Sequence, residues 1–150
     1  MNKLVAQTMA KKENGEKGFT LIELLVVVII IGILAAIAIP IFLNMRQGAW
    51  RSSVESDVTN AVSVVEQATT ANNGSTKDLV FTGGDGGKNF TITPKSGNAQ
   101  TGTVSPGNTV SVTFDAAPAN TYTITGVNEN LSGETYTYTS STGKGAWTKK

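Results

Sequence analysis

The sequence predicts an α+β protein: one long N-terminal α-helix, membrane-spanning in its first half and amphipathic in its second, packed on a small antiparallel β-sheet head. Three observations carry this. Residues 19–45 are almost wholly apolar. The next stretch keeps apolar residues at helical spacing. Beyond Gly74, short alternating runs are separated by glycine-containing turns. The chain therefore divides into a polar, basic start (1–18), an apolar helix (19–45), an amphipathic helix (46–73) and a β-rich head (74–150).

The first 18 residues carry Lys3, Lys11, Lys12 and Lys17 against Glu13 and Glu16. From Leu24 to Leu43 no charged residue occurs, and about 20 apolar residues suffice to cross a bilayer as a helix. Hydrocarbon offers backbone groups no other partner than the helix itself. Arg46 and Arg51 follow the apolar run. The larger positive charge before it predicts that the start of the chain stays in the cytoplasm. Trp50, Val54, Val58, Ala61, Val62, Val65 and Ala68 then recur at spacings of three and four, one stripe of a helix. Asn72-Asn73-Gly74 is the stop, because both residue types tolerate left-handed backbone. Joined to the apolar run this is one helix of about 50 residues, some 75 Å at ~1.5 Å per residue.

Strands are predicted at Asn89–Thr93, Thr109–Phe114, Tyr122–Thr125 and Thr135–Thr139, where β-branched and aromatic residues alternate with others. Gly-Gly-Asp-Gly-Gly at 83–87, Ser105-Pro106-Gly107-Asn108 and Ser132-Gly133 supply the turns. The glycine run reads as a flexible turn and not as a calcium loop, since it holds one acid, Asp85, and lacks the ligand spacing. Asn73, Asn89 and Asn130 match the glycosylation pattern by chance.

Composition argues against an enzyme. The 150 residues contain no cysteine and no histidine, which removes the thiolate and the commonest general base and metal ligand. No catalytic, cofactor-binding or metal-binding residue is expected. The net charge of +1 gives no broad attraction to nucleic acid. Lys144, Lys149 and Lys150 beside Trp147 could touch DNA or another anionic surface, but a short lysine tail is more often solvation. Nucleic acid stays open as a partner.

The informative stretch is Lys17-Gly18-Phe19-Thr20-Leu21-Ile22-Glu23, running straight into the apolar helix. A carboxylate deep in a bilayer costs on the order of 3 kcal/mol even on the mildest scale, and no lysine or arginine lies between Lys17 and Arg46. A cut after Gly18 would create a free amine on Phe19, mostly charged at neutral pH because such amines titrate near ~8. Gly18 is small and sits at a polar-to-apolar boundary, and the apolar run lies after the cut, so it would be kept.

Gly18-Phe19-Thr20-Leu21-Ile22-Glu23 with its retained apolar helix resembles the processing and assembly motif of type IV prepilins and the related pseudopilins. The resemblance covers roughly residues 11 to 50. It implies a pilin-like fold, cleavage of residues 1–18 as a leader by a membrane peptidase that also N-methylates Phe19, and an assembly role for Glu23 against the terminal amine of an adjacent subunit. It implies that Pro40 marks a bend or melted stretch, and Gly32 and Pro40 are both helix-weakening residues. It further implies a homopolymer built by an assembly platform and motor, held in the cytoplasmic membrane as a single-pass precursor and displayed as an extracellular pilus for adhesion, motility or DNA uptake. The chain departs from many members in lacking a C-terminal disulfide loop. The alternatives are a pseudopilin of a type II secretion or competence system, and a membrane-tethered binding module that never polymerises. An ordinary secretory signal cut near Ala36-Ile37-Ala38 would instead leave Ile39 as the first residue.

Overall fold

The computed structural model describes residues 18–115 and 120–150. Lys3, Lys11, Lys12, Glu13, Glu16 and Lys17 of the expected leader lie outside the described residues. One helix, α1 (Leu21–Ala71), precedes seven strands: β1 (Val80–Gly83), β2 (Phe90–Thr93), β3 (Gln100–Gly102), β4 (Asn108–Phe114), β5 (Tyr122–Asn128), β6 (Glu134–Thr139) and β7 (Lys144–Lys149). The chain divides into two compact units, one ending at Phe42 and the other spanning Leu43–Lys150.

In the first unit the helix is apolar on every side. Its large apolar side chains from Phe19 to Phe42 are all at least 45% exposed. Helix α1 has the length and hydropathy to cross a membrane, and it runs unbroken through Gly32 and Pro40.

The second unit is α+β. The C-terminal half of α1 packs on antiparallel sheets, and the head has two of them where the sequence suggested one: β1-β2-β3 and β4-β5-β6-β7. The unforeseen strands are β1, β3 and β7. They are short, glycine-bearing or lysine-bearing, and so carry little strand signal. The supposed lysine tail is therefore largely the edge strand β7, paired with β6 from Glu134↔Lys149 to Thr139↔Lys144. The alternation in β4 and β5 has a plain cause. Val110, Val112, Tyr122 and Ile124 face the core, while Ser111, Thr113, Thr123 and Thr125 form the outer face, with Ser111↔Thr125 and Thr113↔Thr123 as cross-strand pairs. The Ser111 and Thr125 hydroxyls are 2.6 Å apart.

Val54, Val58, Ala61, Val65 and Ala68 of the expected helix stripe are buried, with Val64 and Asp57 added. Trp50 and Val62 are only half-buried. Two sheets cover a wider arc of the helix than one would, so a second row, Asp57-Ala61-Val64-Ala68, is buried beside the first. The helix ends as the sequence predicts. Asn73 is left-handed at φ 59°, and the Gly74 N–H reaches the Thr69 carbonyl at 2.8 Å, closing the last turn.

The glycine run is not a slack turn. The Gly84 carbonyl accepts the Val110 N–H at 2.9 Å, and the Gly87 N–H bonds the Asn108 carbonyl at 2.8 Å. A Cβ on Gly84 would lie 2.3 Å from the Val110 oxygen. The run thus ties the first sheet to the start of β4, where only glycine fits.

Helix and sheet meet most closely at Gly126. A Cβ there would stand 2.7 Å from both Val54 Cγ1 and Val58 Cγ2. Gly126→Ala is expected to destabilise the head by about 1–3 kcal/mol through overpacking. A urea titration of the full chain in detergent checks this, and adding Val54→Ala should recover part of the loss.

Candidate assembly site

Gly18, Phe19 and Thr20 precede α1, and all three are exposed. The helix start explains the chemistry of this stretch. The Thr20 N–H donates to Glu23 Oε2 at 2.8 Å, and the Thr20 hydroxyl donates to the same oxygen at 2.8 Å. The Glu23 N–H returns a bond to Thr20 Oγ1 at 3.3 Å. Thr20 is thus the N-cap and Glu23 the third helical residue of a reciprocal capping box. A carboxylate in the first turn also meets the positive end of the helix dipole. Thr20 satisfies one Glu23 oxygen locally, by hydrogen bonding and without a counter-charge. The pattern is legible in the sequence as Thr-x-x-Glu before an apolar run.

The expected site residues are otherwise spread along the helix. Among the described residues nothing lies within 4 Å of a Cβ added to Gly18 or to Gly32, so their packing does not demand glycine at either position. Pro40 lies inside α1, where its ring removes one backbone donor. From Phe19 to Met45 the large apolar side chains form a continuous exposed surface. A soluble monomer rarely shows so much apolar surface without a membrane or a partner to cover it.

Residues 14–39 match the family described as the prokaryotic N-terminal methylation motif. The chain is 38% identical over 102 residues to the type IV narrow pilus major component PilA5 of Thermus thermophilus, covering 61% of this chain and 88% of that protein. It is 30% identical over 137 residues to fimbrial protein Q of Moraxella bovis, covering 90% of this chain and 85% of that one. This chain belongs to the type IV pilin family.

A fimbrial protein of Pseudomonas aeruginosa is 52% identical to this pilin over 58 residues, which is 39% of the present chain and 33% of the relative. No solved structure matches.

That core has its own polar centre. Asp57, buried on α1, accepts the Ser105 N–H at 2.8 Å, the Ser105 hydroxyl at 3.0 Å and Asn108 Nδ2 at 2.7 Å. Asn108 also reaches Ser53 Oγ at 2.9 Å, and its own oxygen accepts Asn128 Nδ2 at 2.6 Å. Nearby, burial and a hydrogen bond to Glu66 push the Tyr122 phenol well above its usual range, so it stays a neutral donor. In a pilin head without cysteine, such contacts fasten helix to sheet.

Proposed function

We propose that this pilin is a structural subunit of a type IV pilus and that its role is assembly, with no catalysis of its own. The precursor sits in the cytoplasmic membrane with its basic leader inside and its head outside. Prepilin peptidase removes residues 1–18 and N-methylates Phe19. The requirement for Gly18 lies with that enzyme, since no described residue comes within 4 Å of a Cβ placed there. Helices of residues 19–45 then leave the lipid and pack against one another as the filament core, driven through an assembly platform by a motor. Lipid is already apolar, so this exchange gains little hydrophobic free energy and depends on close van der Waals fit. Gly32 and Pro40 are where the helix would bend or loosen to achieve that fit. A head-to-tail contact that does not close on itself yields a fibre.

The observation that carries this reading is the fully exposed apolar helix that opens on a capped carboxylate beside an unobstructed glycine. The test is the mass and N-terminus of protein sheared from the cell surface. N-methylated Phe19 is expected. Fibres whose subunits keep the lysine-bearing leader would overturn it.

A further inference from the structure

One feature of the head has no part in assembly as proposed. A surface cleft of about 350 Å³ is lined by Arg51, Glu134, Trp147, Thr148 and Lys149. Its volume falls in the range of small-ligand sites. Three elements build it: α1 gives Arg51, β6 gives Glu134, and β7 gives the other three.

Each principal group is fixed in place. The Arg51 guanidinium makes a forked pair with Glu134, with Nε at 2.7 Å from Oε2 and Nη2 at 2.8 Å from Oε1. That hydrogen bonding lowers the Glu134 carboxyl below its ordinary range. Lys149 Nζ stands 3.8 Å from the same carboxylate. The Trp147 indole N–H donates to Glu55 at 2.6 Å, and the Trp147 ring packs on Tyr136 with centroids 5.3 Å apart. A locked indole beside a locked ion pair loses little freedom when something binds.

The charges decide what fits. Two cations, Arg51 and Lys149, and one carboxylate, Glu134, line the cleft, while a second carboxylate, Glu55, holds the indole by its N–H. Lys144 and Lys150 do not line the cleft. A lining with a single cation in excess offers little to a polyanion, which needs several cations to replace its counterions. It suits a ligand that is neutral, carries a flat apolar face, and presents groups that both donate and accept hydrogen bonds. A pyranose has all three. Its C–H face can lie on an indole, and its hydroxyls can bond to a carboxylate, a guanidinium and a threonine hydroxyl together.

We propose that this cleft is a binding site for a neutral sugar unit of a glycan. Its use as an adhesive site on a filament rests on the pilus-subunit reading, but binding by the isolated chain does not.

The test uses the full chain in detergent, with Trp50→Phe so that Trp147 alone reports by fluorescence. Chitotriose and maltotriose are the neutral probes; a heparin oligosaccharide and oligothymidylate are the anionic ones. A saturable change with at least one neutral probe is expected. Arg51→Lys, which keeps the charge but loses the fork, should weaken it by about tenfold, and Thr148→Ala should weaken it less. Urea midpoints of both variants should stay near the parent's, which is why Trp147→Ala, a change that endangers β7, is avoided. Saturation with the anionic probes alone, no response to any probe, or equal binding by Arg51→Lys would each overturn the proposal. Filament formation, scored separately by electron microscopy, reports on the pilus reading and is untouched by these outcomes.

Discussion

Asp57→Leu is expected to destabilise the head by about 4 kcal/mol, near the top of the range for single substitutions. The carboxylate takes three hydrogen bonds from two residues of the head, Ser105 and Asn108. Bonds to a charged acceptor are worth about 1.5–3 kcal/mol each, and each buried donor left without an acceptor carries its own desolvation cost. Leucine restores volume but not acceptors. It leaves the Ser105 N–H and the buried Asn108 amide looking for partners, and Asn108 in turn holds Asn128. Asp57→Asn should cost about half as much, because one oxygen survives while the new NH₂ faces donors. Asp85→Asn, on the exposed glycine loop, should cost nearly nothing. Urea midpoints of the three variants, with unchanged denaturant slopes, provide the measurement. A loss under about 1 kcal/mol for Asp57→Leu would reduce the network to decoration.

What the sequence made legible follows from how local each signal was. The helix, its stop at Asn73-Gly74 and the strands around Ile92, Val112, Ile124 and Thr137 could be read because their periodicity lies in neighbouring residues. The division of the head into two sheets could not. It depends on pairings such as Phe90↔Gly102 and on Gly84 meeting Val110, contacts between residues far apart in sequence with no alternation to announce them. The burial of Asp57 is illegible in the sequence for a related reason. A carboxylate on a helix reads as solvent-facing unless its distant donors are known. Trp147 was read with its lysine neighbours as a tail, whereas strand pairing sets it against Tyr136 and Glu55. At the assembly site the identities Gly18, Phe19 and Glu23 were available at once. The bonds between Thr20 and Glu23 were equally local and could have been found from the capping pattern.

Those bonds make the role of Glu23 separable into two parts, and Glu23→Gln is the substitution that separates them. Glutamine serves as well as glutamate at the third position of a capping box, and its amide oxygen can still accept the Thr20 N–H and hydroxyl. The helix start should therefore survive, as it would not in Glu23→Ala. What glutamine removes is the charge. If the carboxylate acts by meeting the terminal amine of a neighbouring Phe19, the loss falls on the contact between subunits. A close interfacial charge pair is worth about 1.5 kcal/mol or more, or about tenfold in affinity at each addition. In an apolar filament core the orphaned amine adds to that cost. Sheared filament yield from cells making Glu23→Gln is therefore expected to fall at least about tenfold, close to that of Glu23→Ala, while cleavage after Gly18 proceeds in both. Wild-type yield from the glutamine variant, with loss only in the alanine variant, would assign Glu23 to capping and remove the charge pairing from the assembly mechanism.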